Sequence, residues 1–183
     1  MQTPGLGKLN IIVAVYGLKV VTDEVTRLII DETPQSLNFK VTNYVIGEDG
    51  WRGQQKSLLV VYNYDGGDLH VATAKEGDVL TINPESFKKS RPVFFEDAED
   101  GDRLSVLAAS YGPDDVTYKV KNLVSKYNTL SFTVNNSIFG DSWYGVPKTL
   151  VIVLGYGHDV KAVEIFTERE TCYLDLNDVV PAI

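Results

Sequence analysis

The chain has 183 residues, of which 44% are hydrophobic and 23% charged, a mixture typical of one ordinary globular domain or two small ones. Its net charge of −8 argues against binding to nucleic acid or to an anionic membrane surface, which both require basic patches. One cysteine and two histidines exclude an internal disulfide and leave too few ligands for most zinc sites.

Hydrophobic runs are short throughout the chain. The longest lie near residues 58–62 and 150–154 and have the length of strands, whereas a membrane helix needs about 20 apolar residues. The first residues contain no apolar run of the kind found in a secretory signal. We therefore expect a protein without membrane insertion and, because of its single thiol, a reducing cytoplasmic location.

The first half of the chain begins with an apolar run at residues 9–16, which predicts a buried strand. Apolar residues within 21–29 then follow helical spacing, and Thr22 stands where a helix N-cap belongs. Residues 37–41 alternate between apolar and polar side chains, as in a strand with one wet face. A glycine-containing loop at residues 43–53 comes next.

Residues 57–64 read as a central strand, and residues 65–68 form a glycine-rich hairpin turn. Shorter strands are expected at residues 69–74 and 80–82. Two prolines and runs of basic and acidic residues in 83–103 indicate a connector.

The pattern then recurs, because residues 9–64 align with residues 104–156 and twenty of the 53 aligned pairs are identical. Thr117 takes the place of Thr22, and the two tryptophans, Trp51 and Trp143, occupy equivalent positions. We therefore predict a mainly β protein, a tandem duplication of a small β-sandwich-like unit with one short helix or helical turn in each copy. The predicted domains are a first β repeat at 1–82, a connector at 83–103 and a second β repeat at 104–183, with the same strand order in both repeats.

The most specific shared pattern lies in the loop before the central strand. A tryptophan ring can cover the apolar face of a sugar, while carboxylate, amide and ammonium groups bond to its hydroxyls. Glycine allows the backbone to approach closely. This composition predicts two equivalent carbohydrate-binding sites formed by Asn43, Asp49, Trp51, Lys56, Asn136, Asp141, Trp143 and Lys148.

The same loop residues have other interpretations. Asn and Asp form turns with their own backbone, glycine supplies positive φ, and tryptophan often covers a small core, so the loops are also consistent with a purely structural role or with protein contacts. Calcium is disfavoured because each loop offers too few oxygen ligands. The tyrosines that end the first strand of each copy, Tyr16 and Tyr111, are expected to close a turn through their hydroxyls; the alternative is a second aromatic plate for a ligand.

Catalytic motifs are absent from the sequence: it has no nucleophile elbow, no phosphate-binding glycine loop and no His–Glu helix. The two histidines, His70 and His158, occupy positions that are not equivalent in the two repeats. We therefore expect no enzyme activity, no cofactor and no metal, with a hydrolase built on spatially paired carboxylates as the remaining enzymatic hypothesis.

A family resemblance supports the β unit. The order Tyr-Gly, Asp115-Val116-Thr117, Phe139-Gly140-Asp141 and then Lys148-x-Leu-x-x-Val-x-x-Tyr resembles a β-rich domain of unknown function at the C-terminus of a mitochondrial J-domain co-chaperone. The resemblance implies a β fold for each repeat and no particular chemistry, because the chain contains no His-Pro-Asp tripeptide.

Two functional hypotheses follow from these patterns. The first is a lectin-like protein that binds glycans at two equivalent loop sites. The alternative is a protein–protein interaction or structural β module without a small-molecule ligand. Either function is compatible with a homo-oligomer.

Overall fold

The computed structural model describes residues 7–93 and 104–177 of the chain. It divides into two compact units, Met1–Val93 and Phe94–Ile183. Both units are mainly β, as the sequence predicts, and each combines a four-stranded with a two-stranded antiparallel sheet.

The described part of the first unit, residues 7–93, has six strands and three short helices. In chain order these are β1 (Leu9–Tyr16), β2 (Lys19–Val20), α1 (Thr22–Thr26), β3 (Leu37–Lys40), α2 (Asn43–Ile46), β4 (Ser57–Tyr64), β5 (His70–Lys75), β6 (Val79–Ile82) and α3 (Pro84–Lys89). The larger sheet has the order β2-β1-β4-β5, and β3 pairs with β6 in the smaller one.

The second unit repeats this plan, with six strands and two short helices within residues 104–177. These are β7 (Ser105–Tyr111), β8 (Asp114–Asp115), α4 (Thr117–Leu123), β9 (Thr129–Thr133), α5 (Asn136–Phe139), β10 (Thr149–Tyr156), β11 (Asp159–Thr167) and β12 (Thr171–Asp175). Its larger sheet has the order β8-β7-β10-β11, and β9 pairs with β12. The two copies therefore have the same strand order, and the predicted duplication is confirmed.

The core of each unit lies between its two sheets. In the first unit Tyr16 and Val60 from the larger sheet pack with Leu37 and Ile82 from the smaller one, all nearly inaccessible to solvent. All eight residues of β4 are buried, which explains why this segment reads as a continuous apolar run rather than an alternating one. An equivalent core forms in the second unit.

The prediction that Thr22 and Thr117 are helix N-caps is wrong. The N-cap positions are taken by the preceding valines, which make no side-chain cap bond. The threonine hydroxyls instead accept hydrogen bonds from strand amides, Ala14 N–H at 3.1 Å and Ala109 N–H at 3.0 Å. A threonine at the start of a helix can bond either way, and here each hydroxyl bonds to the first strand of its unit.

The prediction of one short helix per repeat is also incomplete. We call residues 43–53 and 136–145 the shared loop of the two units. A second helix opens this loop in each unit, α2 capped by the Thr42 side chain and α5 by the Asn135 side chain. A further helix, α3, lies within residues 83–93, which the sequence assigns to the connector but which belong to the first unit. The rest of the predicted connector, residues 94–103, lies outside the described residues.

Removing the threonine hydroxyls tests their inferred role as acceptors for strand amides. Thr22→Val and Thr117→Val should each lower the free energy of unfolding by about 1–3 kcal/mol, because Ala14 N–H or Ala109 N–H loses its side-chain acceptor. Urea denaturation measures the change. Thr26→Val, at an exposed position of α1, is the control and should stay within about 0.5 kcal/mol of wild type. Unchanged stability of both test variants would contradict the assignment.

Candidate functional site

The shared loop begins with a one-turn helix in each unit. In the first unit the Thr42 hydroxyl accepts a hydrogen bond from Val45 N–H at 3.2 Å, and Gly47 ends the turn with a φ of 83°. A left-handed residue of this kind is the usual way for a short helix to stop. The helix places Asn43 at its first position, facing the core.

Each loop is tied to the first strand of its unit through a tyrosine. The Tyr16 hydroxyl donates to Asn43 Oδ1 at 2.9 Å, and the Tyr111 hydroxyl donates to Asn136 Oδ1 at 2.8 Å. Both tyrosine rings are fully buried. The hydroxyl thus closes the loop, as the sequence suggests, and the asparagine oxygen predicted to bind a sugar is used within the protein.

A buried lysine ties down the other end of the loop in the first unit. The Lys56 side chain is only 2% exposed, and its ammonium lies 3.1 Å from an Asp49 carboxylate oxygen and 3.3 Å from one of Glu76. It also donates to the Gln54 carbonyl at 2.8 Å. The Tyr16 ring lies beneath the ammonium, with 5.4 Å between the nitrogen and the ring centroid.

The second unit contains the same arrangement. The Lys148 side chain is 1% exposed, with its ammonium 2.7 Å from Asp141 and 4.0 Å from Glu168. It donates to the Val146 carbonyl at 3.1 Å and lies 5.7 Å from the centroid of the Tyr111 ring.

We call this arrangement the lysine brace, one in each unit. Its members are Tyr16, Asn43, Asp49, Lys56 and Glu76 in the first unit and Tyr111, Asn136, Asp141, Lys148 and Glu168 in the second.

The glycine after each tyrosine makes room for the lysine stem. A Cβ added to Gly17 would lie 3.1 Å from Lys56 carbons, and one added to Gly112 would lie 3.2 Å from a Lys148 carbon. Both glycines also have positive φ, 62° and 55°. Close packing and backbone conformation together account for the Tyr-Gly pair in both copies.

The charges of the brace shift the acidity of its members. Burial, and then the nearby carboxylates Glu76 and Asp49, raise the pKa of Tyr16 well above its usual range. Tyr111 has its pKa raised in the same way, by burial and by the nearby Glu168 and Asp141. The hydrogen bond from Lys56 lowers the pKa of Asp49. The tyrosines are therefore neutral donors and Asp49 is an ionised acceptor at neutral pH.

The tryptophans predicted to stack on sugars are half-buried. Trp51 and Trp143 have intermediate exposure, and the Trp51 backbone N–H donates to Asp49 at 3.2 Å. The rings that extend fully into solvent are tyrosines of the same loops, Tyr44 at 95% and Tyr144 at 92% exposure.

Two kinds of residue in these loops and braces were not predicted from the sequence. Glu76 and Glu168 occupy equivalent positions, because each follows its brace lysine, Lys56 or Lys148, at the same distance along the chain. Extending the repeat alignment into the next hairpin would have found them. Tyr44 and Tyr144 are not equivalent in the two copies, so the repeat gave no signal for them.

Within residues 7–93 and 104–177, no group of three or more His, Cys, Asp or Glu side chains is placed to hold a metal ion. The same part of the chain contains no helix that is both long and apolar enough to cross a membrane.

Comparisons of the chain with protein-family models, curated proteins and solved structures found no match. The resemblance to the co-chaperone domain therefore stays a prediction.

Replacing the lysine of either brace should destabilise the protein. Lys56→Met and Lys148→Met leave two carboxylates without their cation and a loop carbonyl without its donor. We expect a loss of about 1–3 kcal/mol in the free energy of unfolding, less than for a fully buried pair because Asp49 keeps 40% exposure. Lys19→Met, which breaks an exposed pair with Glu48, is the control and should cost less than about 1 kcal/mol. Equal effects at buried and exposed lysines would contradict the brace.

The brace also makes a prediction about pH. The Asp49 pKa is lower in the folded protein than in the unfolded chain, so the unfolded chain binds more protons in acid. The stabilisation is complete well above about pH 3.9 and is lost as the pH falls through the folded-state pKa. NMR titration of the Asp49 carboxyl should show a midpoint below the ordinary aspartate value, and Lys56→Met should raise it towards that value. If Lys56→Met left the titration midpoint of Asp49 unchanged, Lys56 would be excluded as the cause of the lowered Asp49 pKa.

Proposed function

We propose that the protein is a non-catalytic interaction module that binds other proteins through the shared loop of each repeat. One observation carries this proposal. The polar residues predicted to bind sugar hydroxyls are engaged in the lysine brace, whereas Tyr44 and Tyr144 extend from the same loops almost fully into solvent.

The composition of the loops supports protein recognition. Binding loops of antibodies are rich in Tyr, Ser, Gly and Asn, with Trp at the strongest contacts, because rigid aromatic side chains give large contact area at low entropic cost. Residues 136–145 of this chain contain Asn, Ser, Gly, Trp and Tyr and only one charged residue, Asp141, which is paired with Lys148.

The brace supports the proposal in a second way. A loop that is already fixed loses less conformational entropy when a partner binds. Bonds from Tyr16 and Lys56 hold both ends of the first loop, so Tyr44 is presented on backbone that is ordered before binding. The same holds for Tyr144 between the bonds of Tyr111 and Lys148.

Carbohydrate binding is the second candidate, and a specific observation favours it. Trp51 and Trp143 are half-exposed at equivalent positions, so part of each ring remains accessible for stacking on a sugar. Under this second proposal, the sugar makes its polar contacts with the loop backbone or with groups outside the brace.

Substitution of the exposed loop tyrosines tests the protein-binding proposal. Beads carrying the wild-type protein, or the double variant Tyr44→Ser/Tyr144→Ser, are incubated with extract of the source cells, and captured proteins are quantified by mass spectrometry. The matched control is Tyr127→Ser/Tyr173→Ser, which removes two other exposed tyrosines, 70% and 65% exposed, outside the shared loops. We expect partners captured by wild type and control to fall at least about tenfold with the loop variant, as for loss of aromatic hot spots.

A glycan array run with the same proteins separates the two candidates. Binding of a glycan that Trp51→Ala or Trp143→Ala abolishes, together with protein capture that the loop tyrosines do not affect, would overturn the protein-binding proposal in favour of the lectin-like one. Equal protein capture by both double variants would exclude the loops as the protein-binding surface.

We also propose a cytoplasmic location. The support is the single cysteine, Cys172, which is an unpaired and buried thiol, as is common in a reducing compartment. Burial raises the pKa of Cys172 to about 12, which keeps the thiol protonated and unreactive.

A further inference from the structure

A segment of the first unit lies across one end of its larger sheet. We call residues 84–93 the strap; they comprise α3 and the four residues after it. A reciprocal capping box between Asn83 and Ser86 starts the helix. At the other end, Val93 N–H donates to the Leu69 carbonyl at 2.7 Å, and Pro92 forms a bridge with His70 at the start of β5.

Aromatic contacts hold the helical part of the strap. The Phe87 ring packs edge-on against Tyr64, with 5.2 Å between ring centroids, and against Tyr62 at 6.3 Å. The His70 ring lies closer than either, with 4.1 Å between centroids. No other side chain of α3 contributes to the core of this unit.

His70 therefore lies at the centre of the contacts between strap and sheet. It is 4% exposed, and its Nδ1 lies 2.6 Å from the Ser90 hydroxyl oxygen. Ser90 donates its only hydroxyl hydrogen to the Phe87 carbonyl at 2.8 Å, so the histidine Nδ1 carries a hydrogen and donates to Ser90. Protonation would then add the second proton at Nε2.

We propose that the strap is a pH-sensitive clasp, in which protonation of His70 in mildly acidic solution releases residues 84–93 from β5 and uncovers the Tyr62 and Tyr64 rings. This device is independent of the function proposed for the loops.

The surroundings of His70 favour its neutral form. Burial lowers the pKa of His70, and Asp68 in the preceding turn opposes this shift only in part. The other ring and hydrogen-bond partners of His70 within the described residues of this unit are uncharged: Tyr62, whose pKa is itself raised by burial, and Phe87 and Ser90 of the strap. The charged strap residues Glu85, Lys88, Lys89 and Arg91 are exposed. An imidazolium inside the clasp would thus lose its hydration and gain little from a counter-charge.

The direction of the pH dependence follows from linkage. Because the pKa of His70 is lower in the closed form than in the open one, the open form binds more protons in acid. The clasp is at full strength above the ordinary histidine value of about 6.5 and weakens as the pH falls from there towards the closed-form pKa. The pKa values of Asp49 and Asp65 are lowered in the folded protein, so these carboxylates take up protons only in far stronger acid. Their protonation is therefore separate from that of His70.

The chain supplies its own control. Only two histidines occur, and His158 lies exposed between β10 and β11. The residue equivalent to His70 in the second unit is Ala162, a small core residue. The clasp therefore belongs to the first unit, and the second unit reports on any general effect of acid.

NMR of the full chain between pH 8 and pH 4.5 tests the clasp. The readouts are the titration of each histidine ring, the chemical shifts of Phe87, and exchange protection of Val93 N–H corrected for intrinsic exchange. We expect Val93 protection to fall at least about tenfold in step with His70 protonation, while core signals of β1 and β10 keep their folded positions. His158→Asn should behave as wild type, and His70→Asn, which keeps a donor towards Ser90 but does not titrate in this range, should lose the pH response.

Two results would overturn the clasp. One is protonation of His70 while Phe87 and Val93 keep their closed signals. The other is loss of the core signals together with the strap, which would mean global unfolding. If His70→Asn does not fold, Ser90→Ala decides the question: without the acceptor of the histidine bond, the strap should open at a higher pH than in wild type, and an unchanged opening pH would contradict the proposal.

Discussion

A lysine ammonium buried at the root of each shared loop determines how that part of the unit is built. Removing an ammonium from water costs several kcal/mol unless its donors are satisfied, and each brace supplies carboxylates, a loop carbonyl and an aromatic face around a side chain that is at most 2% exposed. The glycine after the tyrosine lets the stem pass, and the carboxylates come from the loop and from the neighbouring hairpin. The brace thus connects three segments that are distant in sequence.

The two units satisfy this constraint with different surroundings. Ile46 and Phe139 are the buried residues of the two loop helices, and the Phe139 ring contacts the brace tyrosine Tyr111 with 5.1 Å between centroids. In the first unit the loop is also held by an exposed pair between Lys19 and Glu48; in the second, a lysine of α4 donates to the Phe139 carbonyl. These outer contacts differ, whereas the lysine, aspartate, tyrosine and asparagine are the same in both copies. That difference is what we expect if the brace fixes the loop and the outer contacts only adjust it.

The sequence predicted the repeat and the longer strands because these depend on hydrophobic periodicity and on identities between copies. It predicted that both copies share one strand order, but not what that order is, and it missed the two-residue strands β2 and β8. It did not distinguish a sugar site from a brace, and the reason is chemical. A sugar hydroxyl, a tyrosine hydroxyl and an ammonium all require the same acceptors. An Asn, an Asp and a Lys near a Trp can therefore either bind a sugar or bond to other groups of the protein, and the sequence is the same in both cases. Only the burial of Lys56 separates them, and that burial depends on a hairpin partner, Glu76, twenty residues away. For α3, the Asn83-Pro84-x-Ser86 start signal was present, but the surrounding prolines and charges suggested a linker.

The duplication has not produced two identical surfaces. Tyr44 corresponds in the second copy to Ser137, and Tyr144 corresponds in the first copy to Arg52, so each loop presents its exposed ring from a different position on the same scaffold. The first loop adds the charged residues Glu48 and Arg52, whereas the second adds none beyond the braced Asp141. Identical sites on one chain would strengthen binding to a repetitive target by raising its effective concentration. Under the function proposed for the loops, two loops with the same brace and different exposed residues would instead suit two different protein surfaces, because the brace keeps each loop ordered while its exposed residues contact the partner.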